Sequence, residues 1–247
     1  MEISGSTALV TGASKRIGRG IALALAEKGC NVAVHYHVAE EDAMETRDLA
    51  RALGVRSEVV GADLSSADEC VSLWSRTVEL LDDVPSVVIN NASYFDRVGI
   101  EEMTPGDFDQ AMAVNVRAPL LLAQAMAREL PEYATGKIIN INDRRGVYRS
   151  RVAYSITNSA LTGLTKTLAV SLAPRIQVNE LRLGIILPLP DDEPVEPRRH
   201  ADRTLGPASR MGTVDEVCQA VISIIGNDYI NGASLNLDGG LSAIDGS

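Results

Sequence analysis

The chain has 247 residues, 45% of them hydrophobic, a net charge of −10 and three cysteines. That length suits one α/β domain and allows most of the unfolded surface, about three quarters, to be buried in a core. The acidic balance argues against a nucleic-acid surface, which needs a basic patch, and no apolar run reaches the roughly 18 residues of a membrane span. The opening residues lack the basic-then-apolar pattern of a signal peptide, so none is expected. Cys30, Cys70 and Cys218 show no C-x-x-C spacing, which predicts reduced, buried thiols in a cytoplasmic protein.

A first strand is predicted at Thr7–Thr11. The turn Thr11-Gly12-Ala13-Ser14-Lys15-Arg16-Ile17-Gly18 follows it and opens a helix over Ile17–Lys28. Small residues let the backbone approach a ligand, and a helix N-terminus offers free N–H groups and partial positive charge to a phosphate. Lys15 and Arg16 add two full charges at the same spot. The turn therefore reads as an anion site for a phosphorylated cofactor, although its spacing is not the G-x-G-x-x-G fingerprint.

Further strands are predicted at Asn31–His35, Ser57–Ala62, Ser86–Asn90, Lys137–Asn142, Gln177–Leu183 and Ser234–Leu237. A helix over Glu40–Leu53 stops at Gly54, as the first does at Gly29. Thr104-Pro105 supplies an N-cap and a first helical position for a helix to about Leu130, bent at Pro119. Thr213 to Glu216 is a capping box before a helix ending near Gly226. The proline-rich stretch 185–209 is long for a plain connection and reads either as a substrate lid or as a surface loop.

Strands alternating with helices predict βαβ units: a Rossmann-type, doubly wound parallel sheet of about seven strands with helices on both faces. Ligands of such sheets sit beyond the carboxyl ends of the strands. Those ends are Thr11-Gly12, His35, Ala62-Asp63, Asn90-Asn91, Asn142-Asp143 and Leu183-Gly184. His35 and His37 share one side of a strand, but no third ligand is near and no metal is expected.

Thr11–Gly18, Asn90-Asn91-Ala92, Asn115, Tyr154 and Asn236-Leu237-Asp238-Gly239-Gly240 stand in the order seen in short-chain dehydrogenases/reductases. The chain resembles that family over nearly its whole length. The resemblance implies one NADP(H)-binding domain over residues 1–247, a small-molecule substrate, and a homodimer or homotetramer formed through the helices near Asn115 and Tyr154. It implies cofactor contacts at Gly12, Ser14, Lys15, Arg16, Ile17, Gly18, His35, Asp63, Leu64, Asn91, Ala92 and Asn158. It makes Tyr154 the proton donor and has Asn115 hold a helix kink and a water. Four features are similar to pteridine reductases: Arg16 in place of a glycine, His35-Tyr36-His37, the run Ser93-Tyr94-Phe95 after Asn91-Ala92, and Asp143 in place of the usual serine. They imply that Arg16 binds cofactor phosphate, that Ser93 and Phe95 meet a pterin, and that Asp143 partners Tyr154. With His35 where NAD enzymes carry an acid, and Lys15 and Arg16 nearby, NADPH is the expected cofactor. Val38, where the subgroup often has arginine, lowers the expected phosphate affinity.

One departure concerns the chemistry. The family's Tyr-x-x-x-Lys reads Tyr154-Ser155-Ile156-Thr157-Asn158, so Asn158 occupies the lysine's place on the helix face. An amide can hydrogen-bond a ribose but cannot lower a tyrosine pKa by charge. Two unit charges about 4 Å apart interact by roughly 4 kcal/mol at an effective dielectric near 20, and free tyrosine titrates near 10. Tyr154 should therefore stay protonated, which suits reduction better than oxidation. Arg144, Arg145, Arg149 and Arg151 form a basic stretch, read as salt bridges to the acidic remainder or as a site for an anionic substrate or partner; Arg144 and Arg145 read as a solvated loop or as part of the charge missing at Asn158. Leu183-Gly184 replaces the family's usual Pro-Gly. The expected function is an NADPH-dependent reductase that passes hydride to a C=N or C=O bond of a flat, pterin-like heterocycle. Two alternatives stand beside it: an NADP(H)-binding protein without catalysis, and a reductase of another carbonyl compound.

Overall fold

Valine, isoleucine and leucine at successive positions of short strands, with amphipathic helices between them, give a sheet buried on both faces. In the computed structural model, which describes residues 1–144, 146–148, 150–187 and 205–244, that sheet has seven strands in the order β3-β2-β1-β4-β5-β6-β7. The elements in chain order are β1 (Thr7–Val10), α1 (Arg16–Glu27), β2 (Asn31–Tyr36), α2 (Glu40–Ala52), β3 (Ser57–Gly61), α3 (Ala67–Leu81) and β4 (Val87–Asn90). There follow α4 (Pro105–Met112), a π-helical turn (Ala113–Arg117), α5 (Ala118–Glu129), β5 (Gly136–Asp143) and α6 (Val152–Ser171). The last are β6 (Ile176–Leu183), α7 (Val214–Gly226), β7 (Ser234–Leu237) and α8 (Leu241–Ile244). Every strand pair is parallel.

Side chains alternate along each strand between two cores. Val10, Val34, Ile89 and Leu181 point to the face covered by α1, α2 and α7. Leu9, Ala33, Val88 and Val178 point to the face covered by α3, α5 and α6. The strand order reverses between β1 and β4, and a crevice opens there at the carboxyl ends. The predicted doubly wound sheet is therefore the observed one.

Local signals act as their chemistry dictates. α1 and α2 close at Gly29 and Gly54, both with positive φ. Thr104 and Thr213 each complete a capping box, with Asp107 and Glu216. The predicted helix over 104–130 is instead two α-helices joined by the π-helical turn. Pro119 has no N–H and its ring crowds the carbonyl four residues back, that of Asn115. The chain answers with a wider turn, in which Ala118 N–H bonds Ala113 C=O. The sequence pattern delimits no helix between 62 and 86, where Ser66 caps α3 through Glu69 N–H.

The three cysteines are buried and free. Burial pushes each thiol up to about 11, so they are inert packing groups. Among the described residues, no helix is long and apolar enough to cross a membrane, and no three His, Cys, Asp or Glu side chains gather as a metal site would need. Residues 188–204, most of the expected lid, lie outside the described residues, as do Arg145 and Arg149.

Candidate active site

The glycine turn is fixed by neighbours on both sides. Gly12 has φ +62, and a Cβ there would stand 3.0 Å from Ala92 Cα. At Gly18 a Cβ would come within 2.2 Å of the Gly12 carbonyl oxygen, so only glycine lets α1 pack so close. Thr11 Oγ accepts the N–H groups of Asn91 and Ala92 at 2.9 and 3.0 Å. Asn91 returns its amide to the carbonyls of Thr11 and Gly12. The ends of β1 and β4 are thereby clamped into one rim. Arg16, at the mouth of this rim, has φ +55. That conformation strains a non-glycine residue by about 1–3 kcal/mol, and such strain collects at ligand sites.

Beyond this rim lies a cavity of about 1030 Å³. Arg16, Ile17, Asn91, Ala92, Ser93, Phe95, Asn115, Asp143, Tyr154 and Asn158 all line it. Of the other predicted site residues, Gly12, Ser14 and Gly18 build the turn. Ser14 is buried and spends its carbonyl on Arg19 and Thr46. Lys15 is exposed and paired with Asp42 at 2.8 Å, so its charge is partly answered within the protein. Asp63 and Leu64 follow β3 away from the cavity wall. The Asp63 carboxylate accepts the Ser65 N–H and hydroxyl, which hold it below the usual carboxylate range.

His35 corrects an expectation. It was a candidate for the cofactor's phosphate end because it terminates a strand beside two cations. It is 1% exposed; its Nδ1 accepts the Gly12 N–H at 3.0 Å and its Nε2 lies 3.1 Å from the Ala62 carbonyl. Burial lowers its pKa from 6.5 to about 4. At neutral pH it is an uncharged brace under the glycine turn and offers a phosphate neither charge nor a free nitrogen. A strand-end histidine looks the same in sequence whether it turns outward or inward.

Of the basic stretch, Arg144 forms the expected salt bridge and, like Arg151, turns inward rather than into solvent. Arg144 is buried and pairs with Asp238 at 3.1 Å, tying the end of β5 to the Asp238-Gly239-Gly240 turn. Arg151 is buried under Phe95, its guanidinium carbon 3.6 Å from the ring centroid. Gly184 packs so closely on Asp238 that a Cβ would stand 2.7 Å from its Cα, which explains a small residue after β6.

The reacting end centres on Asp143, the last residue of β5. The Tyr148 hydroxyl donates to Asp143 Oδ2 at 2.5 Å, and that of Tyr154 lies 3.4 Å from the same oxygen. Tyr154 and Phe95 meet edge to face at 4.6 Å between centroids. Burial, then the charge of Asp143, then Tyr148 raise the Tyr154 pKa well above the ordinary tyrosine value. Tyr148 had no sequence signal: it lies in a short loop with no spacing that ties it to Asp143.

Asn115 is held across the π-helical turn. Its Oδ1 accepts Tyr94 N–H at 2.7 Å, and its Nδ2 donates to Tyr94 C=O and Thr157 Oγ, each at 3.0 Å. Asn158 is 6% exposed; its amide nitrogen has no partner within strict hydrogen-bond geometry, and the side chain lies close enough to the Tyr154 hydroxyl to offset a little of the rise in its pKa. Its carbonyl side of the helix is anchored instead: Asn142 Nδ2 donates to Asn158 C=O at 2.9 Å and to Glu180. Glu180, fully buried, also accepts from Thr162 and Ser234. A buried, orphaned donor on a cavity wall is costly unless a ligand uses it. A ribose hydroxyl is an acceptor of the right kind, so the donor set fits a dinucleotide.

A doubly wound sheet with a clamped glycine turn, and a protonated tyrosine facing its switch-point cavity, defines a dinucleotide-dependent oxidoreductase architecture. The comparisons with known proteins agree. The family described as Enoyl-(Acyl carrier protein) reductase matches residues 12–242. An uncharacterized oxidoreductase of Thermotoga maritima is 28% identical over 258 residues, covering 99% of this chain and 100% of its own. The 3-oxoacyl-(acyl-carrier-protein) reductase FabG of Staphylococcus aureus is 30% identical over 240 residues, covering 95% of this chain and 97% of its own. The crystal structure of FolM alternative dihydrofolate reductase 1 from Brucella canis, complexed with NADP, superposes with a TM-score of 0.91 at 30% identity, covering 98% of this chain and 96% of that one. The chain belongs to the short-chain dehydrogenase/reductase family of oxidoreductases.

Proposed function

We propose that this chain is an NADPH-dependent reductase of a C=N or C=O bond in a flat, pterin-like heterocycle. The observation that carries the reading is the Tyr154–Asp143–Tyr148 cluster beside Phe95, with Tyr154 held protonated. The Brucella canis neighbour, complexed with NADP and called an alternative dihydrofolate reductase, supports both the cofactor and the substrate class.

NADPH, when bound, would supply the hydride. Arg16 and the α1 N-terminus would hold its phosphates, where a positive charge and the first N–H groups of the helix coincide. Asn158 would donate an amide hydrogen to a ribose hydroxyl and so fix the nicotinamide end. Asn91 and Ala92 form the rim beside it. Ser93 and the exposed part of Phe95 position the substrate ring. Tyr154 gives the proton that balances the hydride, and Asp143 passes a replacement from the half-buried Tyr148. Asn115 holds the π-helical turn against Thr157 and keeps α6 in register. Self-association through α5 and α6 belongs to the same reading, since Leu120 and Ile156 are both about two fifths exposed there.

Turnover of NADPH with dihydropterins, and then with ketones, tests the proposal. The wild type is expected to oxidise NADPH with a dihydropterin, and Tyr154→Phe to lose at least about a hundredfold, the usual worth of a positioned proton donor. Intact turnover in Tyr154→Phe would remove that residue from the chemistry. Turnover with ketones alone would leave a carbonyl reductase.

A further inference from the structure

One charge at the substrate end has no part in the steps above. Arg151, the residue before α6, is 7% exposed and lines the cavity. Its Nη1 donates to the Asp96 carbonyl at 2.6 Å. Among the described residues this is the side chain's one hydrogen bond, and it forms no ion pair. A guanidinium carries five N–H donors in a planar fork, so four are unspent. The Asp96 carboxylate acts on Arg151 through space, yet both its oxygens are buried without a hydrogen-bond partner. It is therefore not in contact with the guanidinium. Arg97 acts on Arg151 as a second positive charge, and the Asp143 carboxylate, which lines the same cavity, already takes the Tyr148 hydroxyl.

Buried charges are normally paired, because an unanswered one is costly. Here the pairing is incomplete, and the guanidinium faces the space where the substrate would lie. It also stacks on Phe95, so its remaining donors sit at the rim of an aromatic surface. A planar oxyanion on a flat ring meets both features: the ring packs on the aromatic cluster and the oxygens take the fork in a bidentate bond.

We propose that Arg151 is the substrate-anion receptor of this site, and that the substrate is a flat ring bearing a carboxylate. The proposal rests on reading this end of the cavity as the substrate pocket. Benzoate and benzamide, equal in shape and unequal in charge, are the probes, titrated calorimetrically into NADP⁺-loaded protein. The expected result is benzoate binding at least tenfold tighter than benzamide in the wild type. Arg151→Gln should abolish that preference, and Arg151→Lys should retain part of it. Retained NADP⁺ binding shows that each variant is folded. Equal affinities in the wild type, a preference that survives Arg151→Gln, or no binding of either probe at millimolar concentration overturns the proposal. Dihydropterin turnover reports separately on the reductase reading. Turnover without a benzoate preference sinks the anion receptor alone; a benzoate preference without turnover sinks the pterin alone.

Discussion

In the proposed mechanism Asn158 sets the direction in which Tyr154 can work. With no cation at that position, burial and the Asp143 charge keep the phenol protonated, and a protonated phenol can give up a proton but cannot serve as the base that takes one. Asn158→Lys would place a positive charge beside Tyr154. At about 4 Å and an effective dielectric near 20 this favours the phenolate by roughly 4 kcal/mol, or about three pKa units. The expected outcome is a rise of tenfold or more in the oxidising direction, with reduction changed only a few-fold. Initial rates in both directions check this, and an unchanged oxidation rate would count against a role for the substitution. His35 gives a second prediction. Its pKa falls from 6.5 to about 4 in the folded protein, so the unfolded chain binds its proton first as pH drops. The stability His35 contributes is complete above about pH 6.5 and is lost as pH falls toward 4, by at most roughly 3 kcal/mol. Thermal unfolding should therefore depend less steeply on pH over that window in His35→Gln than in the wild type. At this scale the sequence exposes residues whose type is unusual for their place. Asn158 breaks a four-residue spacing, and Phe95 is one of only two phenylalanines. It does not expose direction. His35, Arg144 and Arg151 turn inward through packing across the molecule, and Tyr148 reaches Asp143 through the course of a loop that no periodicity fixes.

At the scale of elements, caps and periodicity were readable because they are local chemistry. The capping boxes at Thr104 and Thr213 and the stops at Gly29 and Gly54 are set by residues within four positions of one another. The π-helical turn was only half readable. Pro119 announces a break, but the widened turn also depends on Asn115 bonding Tyr94 and Thr157, which are distant in sequence. The glycine turn gives the sharpest prediction here. Gly18→Ala puts a Cβ 2.2 Å from a backbone carbonyl oxygen and 2.5 Å from Asn91 Nδ2, atoms that cannot move without opening the β1–β4 rim. NADPH affinity should fall by at least tenfold, measured by fluorescence titration, while far-ultraviolet circular dichroism stays near that of the wild type. Wild-type affinity in Gly18→Ala would show that the rim is not the cofactor's seat.

For the whole molecule, the strand-helix alternation carried the sheet, and the sheet's reversal between β1 and β4 carried the position of the cavity. Side chains from β4, β5, α6 and the glycine turn converge there from positions over a hundred residues apart. That convergence follows from topology and was legible; the substrate was not, because ring-binding surfaces are built from loops whose course no periodicity fixes. The measurement that bears most directly on the whole reading is NADPH fluorescence of the purified wild type, on mixing and after adding a dihydropterin. Enhancement on mixing followed by decay with the dihydropterin is the expected result: Asn158 then suffices for reduction. Enhancement that persists through dihydropterins and ketones alike would contradict it, leaving a chain that binds the nucleotide and does not use it.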